Sequence, residues 1–117
     1  MHSKRFHNIV DLNHCNTNIH DLKAITVFIE TLVAAAGMKK LAGPLASAGV
    51  PENPGCSVLV LVDFSHISIH TFTKYDEALI DIFSCKPYDR ERVLAMCKEF
   101  FSTPETVVRE KEVWWGN

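Results

Sequence analysis

The sequence predicts an α+β fold: a two-layer sandwich in which a mainly antiparallel sheet carries two helices on one face. Three observations predict it. Two stretches repeat apolar residues at steps of three and four, the spacing of an amphipathic helix. Several short stretches instead alternate apolar and polar residues, as strands do. The links among the middle strands are too short for helical crossovers, which favours hairpins and antiparallel pairing. At 117 residues the chain predicts one domain spanning residues 1–117.

The elements follow in order. Residues 5–12 place Phe6, Asn8, Val10 and Leu12 on one side and Ile9 on the other, a first strand. Residues 13–18 read as a turn-rich connector, with Asn18 as the cap of the following helix. In that helix Leu22, Ile25, Ile29, Leu32 and Ala36 share a face, and Gly37 supplies the stop. Residues 39–45 are weakly strand-like. Residues 48–55 read as a loop, because Gly49, Pro51, Asn53, Pro54 and Gly55 break regular structure. Residues 58–62 are a β-branched apolar strand, expected to be covered on both faces. A short strand at 66–71 follows, then another at 77–85. Asp89 caps a second helix, whose expected buried face is Val93, Met96, Cys97 and Phe100. A charged last strand covers residues 105–114, and its Trp114 and Trp115 read as terminal packing or a dimer contact.

Composition narrows the function classes. Apolar residues make up 47% and charged residues 22%, and the net charge of -2 provides no pull toward nucleic acid or anionic membranes. No apolar run reaches a membrane span. Residues 1–8 are polar, which predicts no signal peptide and a cytoplasmic location. Cys15, Cys56, Cys85 and Cys97 form no CxxC pair, so reduced thiols are expected. Of these, Cys15, Cys56 and Cys97 read as structural.

The segment that carries chemistry is Asp63-Phe-Ser-His-Ile-Ser-Ile-His-Thr71. Ile67 and Ile69 alternate with His66, Ser68 and His70, a strand pattern. At ~3.3 Å per residue the two imidazoles stand ~13 Å apart, too far to share one metal ion, so no metal site is expected. Pattern alone describes a strand with one wet face. The residue order says more. Ser65-His-Ile-Ser-Ile-His-Thr71, then Tyr75, then Asp81-Ile-Phe-Ser-Cys85, resembles the bacterial and archaeal S-adenosylmethionine decarboxylase proenzymes. Gly55-Cys-Ser57, eight residues before Ser65, matches that family's Gly-x-Ser.

The resemblance implies a pyruvoyl-dependent decarboxylase that makes its own cofactor. Ser65 would attack the carbonyl of Phe64, the chain would cut at the Phe64–Ser65 bond, and Ser65 would become a pyruvoyl group. The products would be a β chain, residues 1–64, and an α chain, residues 65–117. The pyruvoyl ketone would form a Schiff base with the substrate amine and act as an electron sink. The resemblance gives His70 the role of processing proton acceptor, Ser57 that of processing support, and Cys85 that of proton donor in catalysis. It implies S-adenosylmethionine as substrate, in spermidine and polyamine synthesis, and a homodimer with sites at or near the interface.

The chain departs from the family where the nucleoside binds. Phe64 stands where glutamate is usual, and Phe72-Thr-Lys-Tyr75 replaces Trp-Pro-Glu-Tyr. The loop aromatic expected near Val50 and Pro51 is absent. Phe72 can still stack on a base, so Phe72 and Tyr75 are the expected substrate contacts. Lys74 cannot accept from ribose hydroxyls, because an ammonium only donates. Two alternatives therefore stay open. One is a pyruvoyl-dependent decarboxylase of ornithine or arginine. The other is an uncleaved, non-catalytic relative that binds or regulates a partner.

Overall fold

The computed structural model describes residues 4–114. Six strands form one sheet: β1 (Phe6–Asn13), β2 (Lys40–Val50), β3 (Asn53–Val62), β4 (Ser65–Phe72), β5 (Glu77–Ser84) and β6 (Val107–Val113). Their order across the sheet is β2-β3-β4-β5-β1-β6, with every adjacent pair antiparallel. Helix α1 (Leu22–Ala35) follows one turn of 3-10 helix at Thr17–His20, and helix α2 (Arg90–Phe101) precedes β6. The α+β sandwich is as the periodicities predict.

Alternation fixes which side of the sheet is dry. Val10, Leu12, Val58, Val60, Val62, Ile67, Ile69, Ile80 and Ile82 are buried and meet Ile25, Phe28, Ile29 and Leu32 of α1 and Val93, Cys97 and Phe101 of α2. The helices touch where Phe28 stacks on Phe100 at 4.1 Å between centroids. Residues one step out of phase face the other way. Leu59 is 38% exposed, Leu61 47% and Leu45 71%. The apolar strand at 58–62 is thus covered on one face only within a single chain, not on both as its composition suggests. A two-layer chain has no third layer to put there.

Two further expectations are corrected. Residues 48–55 are no loop: β2 runs to Val50, turns at Pro51 and Glu52, and returns as β3. Gly49 is accommodated because β2 is an edge strand with one neighbour, Pro51 because it sits in the turn, and Pro54 and Gly55 because the β2–β3 ladder shifts register between Ala48 and Val50 and leaves both without a ladder partner. Asn18 does not cap α1. Asp21 does, accepting from the Ala24 N–H at 3.0 Å, while Asn16 caps the preceding 3-10 turn. Asp89 caps α2 as expected, accepting from Arg92 N–H at 3.1 Å. Within α2, Phe101 takes the fully buried position, and Met96 and Phe100 only flank the core. Trp114 is 69% exposed, and Trp115 lies outside the described residues.

Candidate active site

The outer, wet face of the sheet carries His66, Ser68 and His70, because Ile67 and Ile69 claim the inner face, and Thr71, in phase with them, is buried. Pairing then decides which of them meet. Ser57 lies directly opposite His70 in the β3–β4 ladder. Such partners have Cβ atoms about 5 Å apart. Ser57 Oγ and His70 Nδ1 are in hydrogen-bond contact at 2.8 Å. Leu45, Ser47 and Leu59 wall the pair into a small hollow of about 120 Å³.

Gly55 and Thr71 fix this pair from below. A Cβ on Gly55 would sit 1.8 Å from the carbonyl oxygen of Thr71, and Gly55 has φ +157. Only glycine lets β3 approach β4 this closely. The buried Thr71 hydroxyl accepts from the Cys56 N–H at 2.9 Å and donates to the Ile19 carbonyl at 2.7 Å. The residues flanking Ser57 and His70 are therefore tied to the core.

A second cluster forms at the β3–β4 turn, residues 63–64. The Asp63 N–H donates to the Lys39 carbonyl at 2.9 Å, and the Lys39 N–H donates to Asp63 Oδ1 at 2.9 Å. The carbonyl of Phe64 accepts from the backbone N–H of Cys85 at 3.0 Å. Ser65, the next residue, has φ 145. A non-glycine residue in that region costs on the order of 1–3 kcal/mol and persists only where its surroundings impose it. The imposed torsion is about the Ser65 N–Cα bond, next to the Phe64–Ser65 peptide. Cys85 is exposed, with its N–H on the Phe64 carbonyl. Burial pushes the Cys15 thiol up to about 11 and the Cys97 thiol up to about 12.

Phe64, Ser65 and Cys85 thus come together, and so do Ser57 and His70, but the two groups are separate within one chain. Ser65 and His70 are five residues apart on β4, roughly 16 Å at the rise of a strand. Phe72 and Tyr75 belong to the His70 end. Phe72 is half-buried at the end of β4, and Tyr75 is 66% exposed in the turn that follows. Lys74 Nζ donates to the Glu52 carbonyl at 3.0 Å, which ties that turn to the β2–β3 turn.

Sequence reading missed what lies between the groups. His66 stacks on Phe83 at 5.4 Å, His7 meets the edge of the same ring at 5.1 Å, and His7 Nε2 is 2.7 Å from Asp81 Oδ1. The available signal was that positions 7, 66, 81 and 83 are all out of phase with the apolar side of their strands. Among the described residues no three His, Cys, Asp or Glu side chains gather as a metal site, and no helix is long and apolar enough to cross a membrane.

Comparison with known proteins agrees with this architecture. Residues 6–112 match the S-adenosylmethionine decarboxylase family. The chain is 36% identical over 87 residues to an S-adenosylmethionine decarboxylase proenzyme of Thermodesulfovibrio yellowstonii, a match that covers 73% of this chain and 62% of that protein. A shorter match, 50% identical over 34 residues, covers 29% of this chain and 26% of an arginine decarboxylase proenzyme of Aeropyrum pernix. The fold is similar to that of the adenosylmethionine decarboxylase from Aquifex aeolicus, with a TM-score of 0.76 at 21% identity over 100% of this chain and 96% of the other. With the family matched over nearly all its described length, the chain belongs to the S-adenosylmethionine decarboxylase family.

Proposed function

We propose that this chain is a self-processing, pyruvoyl-dependent decarboxylase of S-adenosylmethionine that works as a homodimer. One observation carries the reading. The carbonyl of Phe64 is gripped by the Cys85 N–H at 3.0 Å, and the serine after it is held at φ 145. An N–H aimed at a carbonyl oxygen stabilises the charge that develops there under attack.

The chemistry follows from these atoms. Ser65 Oγ adds to the Phe64 carbonyl carbon, and the Cys85 N–H holds the oxyanion. The C–N bond breaks and the peptide becomes an ester. An imidazole then removes the Ser65 Cα proton, the ester C–O bond breaks, and Phe64 leaves as a carboxylate. Water enters, ammonia departs, and a ketone heads the new chain at position 65. The residues present fit that group: a serine in an unusual backbone conformation, a donor on the carbonyl before it, and an exposed thiol beside it. When formed, the pyruvoyl group supplies an electron sink for the pair released as carbon dioxide leaves. Cys85 holds a proton on Sγ for return to the substrate carbon. Phe72 offers a ring face and Tyr75 a phenol for binding.

The Ser57–His70 pair lies roughly 16 Å along the strand from the Ser65 it would serve, which supports a shared site. In the homodimer proposed here, two copies meet through their outer faces, and His70 and Ser57 of one work at Ser65 and Cys85 of the other. The exposed Leu45, Leu59 and Leu61 are the apolar surface such a contact would cover.

The short, 50% match to an arginine decarboxylase proenzyme favours arginine as a second substrate reading.

Intact mass under denaturing conditions tests the reading. Two species, corresponding to residues 1–64 and 65–117, are expected, whereas a single 13.2 kDa chain that never divides removes it. Carbon dioxide release from S-adenosylmethionine, arginine and ornithine then assigns the substrate.

A further inference from the structure

We propose that Lys86 is a positioning residue for the self-cleavage, acting through the ring of Phe64; this rests on the reading above. Three observations converge on it. Its backbone is fixed: the Lys86 N–H donates to Ser84 Oγ at 3.0 Å, and that hydroxyl donates back to the Lys86 carbonyl at 2.7 Å. Ser84 is fully buried and lies opposite Ser65 in the β4–β5 ladder. The Lys86 side chain is also fixed, because its Nζ donates to the Gly37 carbonyl at 2.9 Å, where α1 has just ended. Finally, that Nζ lies 4.7 Å from the centroid of the Phe64 ring, within range of a cation–π contact.

Phe64 is therefore held at two points by two consecutive residues. Cys85 takes its carbonyl and Lys86 takes its ring. The scissile peptide follows a two-residue turn at the ends of two interior strands, β3 and β4, and these two contacts fix that turn. Attack by Ser65 Oγ needs the peptide plane at one angle, and holding reacting groups in place is a large part of any rate gain. A purely apolar partner would hold the ring alone. An ammonium also bonds the Gly37 carbonyl, so it ties the turn to the helical layer.

The test follows cleavage by intact mass in freshly synthesised chains. Lys86→Met is expected to cut about fivefold more slowly, which is about 1 kcal/mol of barrier. Lys86→Arg keeps a cation over the ring and is expected to cut within about twofold of the parent. Phe64→Leu removes the ring but leaves the Lys86–Gly37 bond, and should be slowed as much as Lys86→Met. The double variant should be no slower than either single one, since both remove the same contact. Lys86→Met at the parent rate, Lys86→Arg as slow as Lys86→Met, or slowings that multiply in the double variant would each overturn the proposal while leaving self-cleavage standing. A parent chain that stays whole overturns both.

Discussion

Mixing two inactive variants tests the shared site directly. Ser65→Ala has an intact Ser57–His70 pair but nothing to cut. His70→Ala keeps Ser65 but lacks the imidazole, a loss worth about 10²–10⁴ in rate. Each variant alone is expected to stay whole over hours. Co-expressed in equal amounts, they should form about half mixed dimers by random association of a two-fold pair. In each mixed dimer the His70→Ala chain faces the partner's intact imidazole, so about half of the His70→Ala chains should cut and no Ser65→Ala chain should. The two chains differ in mass, so denaturing mass spectrometry counts each separately. The expectation comes from the separation of Ser65 and His70 along one strand, roughly 16 Å. If His70 instead served its own Ser65, the mixture would contain no cut chain, and that result would refute the reasoning.

Other expectations follow from single contacts. Cys85→Ala leaves the backbone N–H on the Phe64 carbonyl, so the chain should still divide yet release carbon dioxide at least ~10²-fold more slowly; normal turnover removes Cys85 as proton donor. Thr71→Val strips the buried Cys56 N–H of its acceptor and the Ile19 carbonyl of a donor, a loss of about 2–4 kcal/mol in denaturant unfolding, against about 1 kcal/mol for Thr71→Ser. Equal stability of Thr71→Val and parent would show that this hydroxyl anchors nothing. Alkaline stability should also report burial, which raises Tyr88 from 10.0 to about 12 and Cys97 from 9.0 to about 12. The unfolded chain loses these protons first, so the contribution is whole below about pH 9 and disappears as pH rises through about 12. Tyr88→Phe should flatten that decline above pH 10, and an unchanged slope would argue against a buried phenol.

The fold was legible where a local period met a single partner. Ile25, Ile29 and Leu32 repeat at helical steps and are buried on α1, and Ile67 and Ile69 alternate and are buried on β4. The β2–β3 hairpin was hidden because its stability comes from pairing between Ala46 and Val58 and their neighbours, while its own residues are turn formers. Leu59 and Leu61 look like core in the sequence, and only the sheet order reveals that nothing in the same chain covers them. The candidate site was legible as a set of residue types at motif spacing. Its arrangement was not. That Ser57 meets His70 and that Cys85 meets Phe64 depends on ladder register across 13 and 21 residues of chain, which no local pattern encodes. The pairing of His7 with Asp81, 74 residues apart, escaped for the same reason.

The sheet order has a consequence for a protein severed between β3 and β4. Residues 1–64 supply β2, β3 and β1, while residues 65–117 supply β4, β5 and β6. Read across the sheet, the two pieces interleave, with β1 of one clasped between β5 and β6 of the other. Neither piece can leave without breaking three strand boundaries, so a nicked molecule should hold together through purification. Once melted, however, it must be rebuilt from two solutes instead of one tethered chain. Recovery after heating would then become a second-order event, slower on dilution, and an uncut chain would keep a folding advantage that a severed one would lose for good.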